Sequence, residues 1–401
     1  MGSGMRVAMI DPSLFTLPYD EKLAAGLQRR GHRIDFFGKA LGRRDPVPVA
    51  VPLRQHFYGG LRALGAEHWP GLPAKVAKGL AHVGAMDGLV RTLARERPDV
   101  IHFQWLPLPV VDRAFLGRLR RIAPVVITCH DSQPFNANPS AVVQRVGATA
   151  VLARFDRVII HTEQARPRLA AYGVEQHRIQ RIAHGFLDDS EPVAPPAPIE
   201  DDRPVRFLLF GKIKPYKGID LMIEAVRRLA PTTLRRIEVL VIGKPYMDTG
   251  PLQAAAAGLP QIRFEFRFVP DEEMADLFRW ADVLAFPYRE IEMSGVLMAA
   301  LKTARPMVAS NIGGFAELLS DGETGFLVPP GDVVGLAQAI TRLVEEPATR
   351  ARMSQGLIDL VHAIPSWDRI AAETEQLYVS AIAERRAHAG RHPAEATSRA
   401  V

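Results

Sequence analysis

The residues whose types and spacing say most about chemistry lie between Phe286 and Asp332. An apolar run, Asp282 to Phe286 (DVLAF), reads as a strand that ends in the polar loop PYREIEM. That loop opens at Ser294-Gly295 onto a helical stretch. A Ser-Gly pair ahead of a helix offers backbone N–H groups and the positive end of a helix dipole, a natural seat for phosphate. Serine is also a good N-cap, so an ordinary helix start would use the same residues. A second apolar run, Met307 to Ser310, leads to Gly313-Gly314 and a glycine-punctuated turn around Asp321-Gly322 and Gly325.

The elements that must position this loop read as α/β. MRVAMI (Met5 to Ile10) is a strand, Asp20 to Arg30 has helical spacing that Gly31 stops, and RIDFF (Arg33 to Phe37) is the next strand. A β-α-β opening implies a parallel sheet. DVIHF (Asp99 to Phe103), VVITC (Val125 to Cys129) and RVIIH (Arg157 to His161) continue it, while residues 41–85 read as loops and short helices. Residues 188–204 are rich in proline and acid and read as a linker. A second unit follows, with strands at Arg206 to Phe210, Glu238 to Ile242, Ile262 to Phe266, Val283 to Phe286 and Pro306 to Ala309. The division is thus 5–187, linker 188–204, 205–365, a helix over 366–388 returning to the first domain, and a disordered tail at 389–401. With two open α/β sheets, a ligand is expected beyond the strand ends, in the cleft between the domains.

The chain has 401 residues, 47% hydrophobic and 23% charged, as in soluble proteins. Its single cysteine, Cys129, excludes an internal disulfide and a cysteine zinc site and fits a reducing compartment. No apolar run is long enough to span a membrane. The expected location is therefore cytoplasmic, or peripheral at the inner membrane face. The net charge of +6 is uneven: residues 1–187 hold 26 Lys and Arg against 14 Asp and Glu, while residues 188–401 hold 24 against 30. A basic first half favours an anionic or lipid-linked partner and peripheral membrane contact. Solvated arginines would give the same imbalance. Nucleic acid is not expected, because no basic helix or aromatic-interleaved patch stands out. G-x-G-x-x-G, G-x-x-x-x-G-K-[ST], G-x-S-x-G and H-E-x-x-H motifs are all lacking, which disfavours dehydrogenase, P-loop, α/β-hydrolase and zincin chemistry.

Seven segments in order resemble the retaining GT-B glycosyltransferases, group 1, across roughly residues 5–385. They are DPSLFTLPYDEKLAAGLQRRGHRIDFF, CHDSQPF, AHGF, GKIKPYKG (Gly211 to Gly218), VIGKP (Val241 to Pro245), the long stretch VPDEEMADLFRWADVLAFPY with ARPMVASNIGGFAELLSDGETGFLVPPGD, and PSWDRIAAETEQLY. The resemblance implies two Rossmann-like domains facing a central cleft. It implies transfer of a hexose-type sugar, with retention and without a metal, from a nucleoside-diphosphate sugar to a hydroxyl of a glycan, glycolipid or secondary metabolite. The sugar nucleotide is a co-substrate, and no cofactor is implied. The chain departs from the family where Glu-x7-Glu is usual: Ile291 and Ala299 stand there. It fits a branch with a Ser-Gly-Val-Leu helix start. The alternative is a non-catalytic subunit that binds a nucleotide sugar or glycan.

Such a transfer must stabilise a departing diphosphate and an oxocarbenium-like sugar. By resemblance, Lys217 is the main diphosphate ligand, with Lys212 or Lys214 as a second cation. Gly211, Ser294, Gly295 and Val296 complete the seat. Glu290, Glu292 and Lys244 are candidates for the donor sugar or nucleoside. His130, at a strand end, would bind a sugar hydroxyl or stabilise charge, which with Lys217 and Glu292 makes the catalytic set. Tyr19, Asp20, Gln104, Trp105, Asp131 and His184 are acceptor-side candidates.

Overall fold

The computed structural model describes residues 4–43, 45–63, 71–132, 147–187, 199 and 203–391. Two compact units emerge, one from Met1–Gly185 with Pro365–Val401 and one from Phe186–Ile364. Most of the linker expected over 188–204, the part of the CHDSQPF segment beyond Ser132 and the tail from 392 lie outside the described residues.

The first unit contains the strands β1 (Arg6–Asp11), β2 (Arg33–Lys39), β3 (Leu53–Phe57), β4 (Val100–Phe103), β5 (Val125–Cys129), β6 (Arg157–Ile160) and β7 (Ile179–Arg181). They form one parallel sheet in the order β3-β2-β1-β4-β5-β6-β7. β4, β5 and β6 are buried along their whole length, as a sheet covered on both faces requires. The order reverses between β1 and β4, which makes their carboxyl ends the place where a ligand would sit.

The reading of residues 41–85 as loops and short helices needs correction. They include β3 and the start of a long helix, Gly71–Glu96. β3 is an edge strand in which only Phe57 is buried, so no apolar run marks it. The helix begins GLPAKVAKGLAHVGAM, whose small residues give little amphipathic contrast.

The C-terminal helix Trp367–Arg391 packs along the helix Leu17–Arg29. The approach is close: a Cβ added to Gly26 would lie 2.9 Å from Ala371 Cβ. Tyr378, fully buried, hydrogen-bonds His102 Nδ1 at 2.6 Å, and Arg157 pairs with Glu384.

The second unit contains β8 (Val205–Phe210), β9 (Ile237–Ile242), β10 (Ile262–Glu265), β11 (Val283–Phe286), β12 (Met307–Ser310) and β13 (Gly325–Val328). All pair in parallel, in the order β10-β9-β8-β11-β12-β13. β13 is the stretch expected to be a glycine turn: Gly325 lies so close to β12 that a Cβ there would be 2.6 Å from the Met307 carbonyl oxygen. Here the order reverses between β8 and β11. Their ends carry the GKIKPYKG and PYREIEMSG loops. Among the described residues, no helix is long and apolar enough to cross a membrane.

Candidate active site

In the second unit the loop after β8 is shaped by glycines. Gly211 has φ +105, and Gly243 (φ +153) packs onto it so tightly that a Cβ would stand 1.9 Å from the Gly211 carbonyl oxygen. A Cβ on Gly211 would meet Lys217 Nζ at 3.2 Å and Val296 Cγ2 at 3.3 Å, so residues predicted on two separate loops converge here. The turn Pro215–Lys217 then swings Lys217 inward until only 6% of it is exposed.

Lys217 Nζ donates to the Phe210 carbonyl (3.1 Å) and the Tyr288 hydroxyl (2.5 Å). Both partners are neutral. Burial first, then the charges of Lys214 and Lys212, push its pKa down to about 7. Lys212, Lys214 and Lys244 each hold Nζ 5.8–6.0 Å from the ring centre of the exposed Tyr246. The structure thus gathers all four predicted lysines and does not choose between Lys212 and Lys214.

Tyr288 is not among the expected site residues, yet it connects the Lys217 loop to the Ser294 helix start. Its ring packs at 5.3 Å on Phe315 and 5.8 Å on Phe286, and its hydroxyl meets both Lys217 and Ser294. An aromatic residue just past a buried strand reads as core in sequence, and only the direction of its hydroxyl shows otherwise. Ser294 is the N-cap of the helix Gly295–Leu301, its Oγ accepting from Leu297 N at 3.2 Å. The Gly295 and Val296 amides occupy the first turn, where N–H groups lack partners within the helix.

The two loop glutamates part company. Glu290 is exposed, whereas Glu292 is buried with its backbone carbonyl bonded to Gly314 N at 2.6 Å. Gly313 (φ +51) must be glycine, because a Cβ there would lie 2.2 Å from the Ile291 carbonyl oxygen. The Gly313-Gly314 pair therefore sets the path of the loop that carries Glu292. Arg289 ties that loop to the other one, bonding Asp220 Oδ1 at 2.8 Å and the Pro215 carbonyl at 3.2 Å.

In the first unit, His130 and Asp131 follow β5 and line a pocket with Gln104, Trp105, Thr128 and Cys129. Trp105 packs its ring 4.5 Å from that of Phe15. Gln104 is fully buried and reaches His102 Nδ1 at 3.3 Å. Tyr19 is also buried, its ring 4.7 Å from His130, 5.2 Å from His161 and 5.3 Å from His184. His184 bonds the Gly185 carbonyl through Nδ1 at 2.7 Å, and burial holds its pKa down to about 4.

Asp20 stands differently from its expected acceptor-side place. It is fully buried, bonded to Thr16 Oγ1 (3.1 Å) and to Asp11. Burial first, then the Asp11 charge, raise its pKa well above the usual carboxylate range. A raised folded-state pKa means that stability is lost as pH rises from the ordinary carboxylate range through the folded value. Asp20→Asn keeps the shape and a donor toward Asp11. It should therefore stabilise the fold at neutral pH and lose that advantage near pH 3, as read from denaturant melts at both values.

The comparisons follow the same two-part plan. Residues 18–185 match the model described as "Glycosyl transferase 4-like domain", and residues 204–346 match "Glycosyl transferases group 1". Together the two models cover most of the chain. The chain belongs to the GT-B glycosyltransferases. A D-inositol 3-phosphate glycosyltransferase of Geodermatophilus obscurus is 29% identical over 399 residues, covering 91% of this chain and 84% of that protein. One from Kribbella flavida is 26% identical, covering 94% and 96%. Among solved structures, Anabaena HepE in complex with UDP superposes with a TM-score of 0.68 at 18% identity, covering 94% of this chain and all of that one. Sucrose-phosphate synthase from Thermosynechococcus elongatus gives 0.69 at 20%, covering 95% and 100%. These likenesses show that the fold of this glycosyltransferase is GT-B.

Proposed function

We propose that the chain moves a hexose-type sugar from a nucleoside-diphosphate donor to a hydroxyl acceptor, with retention and without a metal. The observation that carries this is Lys217, a buried ammonium whose hydrogen-bond partners among the described residues are a carbonyl and a phenol. A buried cation without a counter-ion is costly, and a diphosphate supplies one. UDP and UDP-glucose occupy HepE crystals, which supports the donor class. Lys212 and Lys214 add cations beside Lys217, and the Ser294, Gly295 and Val296 amides add donors. As the bond between the sugar's anomeric carbon and the phosphate oxygen breaks, these groups meet the growing negative charge. The acceptor hydroxyl attacks on the same face and passes its proton to the leaving phosphate.

In this reading Glu292, Glu290 and Lys244 contact donor sugar or nucleoside, and His130 meets a sugar hydroxyl. Gln104, Trp105, Asp131, Tyr19 and His184 stand on the acceptor side. The relatives' name makes a phosphorylated polyol the first acceptor to test, and the basic first half fits an anionic one. Ile291 and Ala299, at the positions of the usual glutamates, favour the second reading, a binding subunit without catalysis.

The two readings separate on incubation with a panel of sugar nucleotides in the presence of a chelator. Release of nucleoside diphosphate from one donor, accelerated by an acceptor, is the expected result. Tight binding with neither hydrolysis nor transfer would favour the binding subunit.

A further inference from the structure

Three imidazoles, His130, His161 and His184, and the phenol of Tyr19 come together from distant parts of the first unit, at the carboxyl ends of β5, β6 and β7. His161 Nδ1 lies 3.0 Å from the Ile182 carbonyl oxygen, which can only accept. Nδ1 of His161 therefore carries a proton. His161 is 2% exposed, and burial holds its pKa down to about 3, so the ring is neutral and its Nε2 is bare. His161 Nε2 in turn stands 3.3 Å from His130 Nδ1. A bare nitrogen accepts, so His130 Nδ1 is the donor. That leaves His130 Nε2 as a lone pair. It is enclosed by the fold and meets no hydrogen-bond partner among the described residues. Leaving a buried acceptor unmatched costs about 1–3 kcal/mol, and a ligand hydroxyl would relieve it.

We propose that His161 is a positioning residue: it fixes His130 as the Nδ1-protonated tautomer, so that Nε2 accepts a hydrogen bond from a hydroxyl of the bound sugar. The part concerning the sugar rests on the transferase reading above; the tautomer assignment does not. The surroundings act in the same direction. Burial holds the pKa of His130 well below the usual imidazole range, so its ring is neutral as well. Tyr19 closes the far side with its ring edge-on to His130 at 86°. A neutral acceptor at this point selects an O–H donor and does not bind an anion. It also places the tautomer under the control of a residue more than thirty positions along the chain.

The test is a long-range 1H–15N correlation on the full chain labelled with 15N-histidine, for the wild type, His161→Phe and His161→Gln. Wild-type His130 should show a protonated Nδ1 and a bare Nε2. His161→Phe removes the acceptor and should release the proton to Nε2. His161→Gln places a carbonyl oxygen near the lost Nε2 and should restore the wild-type tautomer. The kcat/KM for the donor should fall roughly tenfold in the phenylalanine variant, equivalent to about 1.4 kcal/mol, and recover in the glutamine variant. A merely structural role for His161 would not move the tautomer. A proton on Nε2 of wild-type His130, or an unchanged tautomer in His161→Phe, would overturn the proposal. Predicted tautomers throughout, with no response to any sugar nucleotide, would uphold the His161–His130 arrangement and overturn the transferase reading.

Discussion

Lys217→Met is expected to cost roughly 100-fold or more in transfer rate, the scale for removing a group that stabilises developing charge, while making the unliganded fold more stable. The two effects have one cause. In the folded state the ammonium is stripped of water, and its pKa falls from 10.5 to about 7. Between those values the unfolded chain holds the proton and the folded chain does not, so wild-type stability rises with pH across that window. At pH 7 and below, the burden is on the order of 4–5 kcal/mol at 1.36 kcal/mol per pKa unit. Methionine removes it and loses two hydrogen bonds of about 1 kcal/mol each. A net gain of about 2–3 kcal/mol should remain at pH 7 and below, shrinking toward pH 10. Denaturant melts at both pH values, beside an activity assay, check both halves. A variant that is inactive but also less stable at pH 7 would show that Lys217 serves the fold and not a ligand.

Gly218→Ala should be nearly as damaging, through the backbone. Gly218 has φ +65, and a Cβ there would stand 1.8 Å from the Pro287 carbonyl oxygen. Pro287 precedes Tyr288, so relieving the clash drives Lys217 and Tyr288 apart. A left-handed alanine alone costs roughly 1–2 kcal/mol; the clash adds to that and breaks the seat. Gly258→Ala is the matched control, since Gly258 has φ +80 with nothing near its added Cβ. Gly218→Ala should lose at least 1 kcal/mol more than the control and most of the activity, while the control keeps its activity. Equal losses in both would mean that the close approach at Pro287 has no consequence.

What was legible in the sequence follows from which signals are local. β5 and β6 are continuous apolar runs because both faces of their sheet are covered, so they stand out. β3, β7 and β13 are short edge strands with polar or glycine positions, and nothing local marks them. The turns at Gly211 and Gly218 and the helix start at Ser294-Gly295 are readable because left-handed backbone needs glycine and a helix start favours serine. Tyr288 and His161 are not. Their roles depend on where a hydroxyl or a ring nitrogen points once parallel strands have brought residues 19, 130, 161 and 184 together. Asp20 shows the reverse error: a polar residue at a strand-end loop looked presented, but its carboxyl turned inward to Thr16 and Asp11.

The central claim is that the lysine cluster around Lys217 binds a diphosphate. Calorimetric titration with a nucleoside, its monophosphate and its diphosphate, on the wild type and Lys217→Met, tests it most directly. The account predicts that wild type binds the diphosphate at least about tenfold more tightly than the monophosphate, about 1.4 kcal/mol, and that this preference collapses in Lys217→Met. A preference that survives the substitution, or no binding of any nucleoside diphosphate, would contradict it.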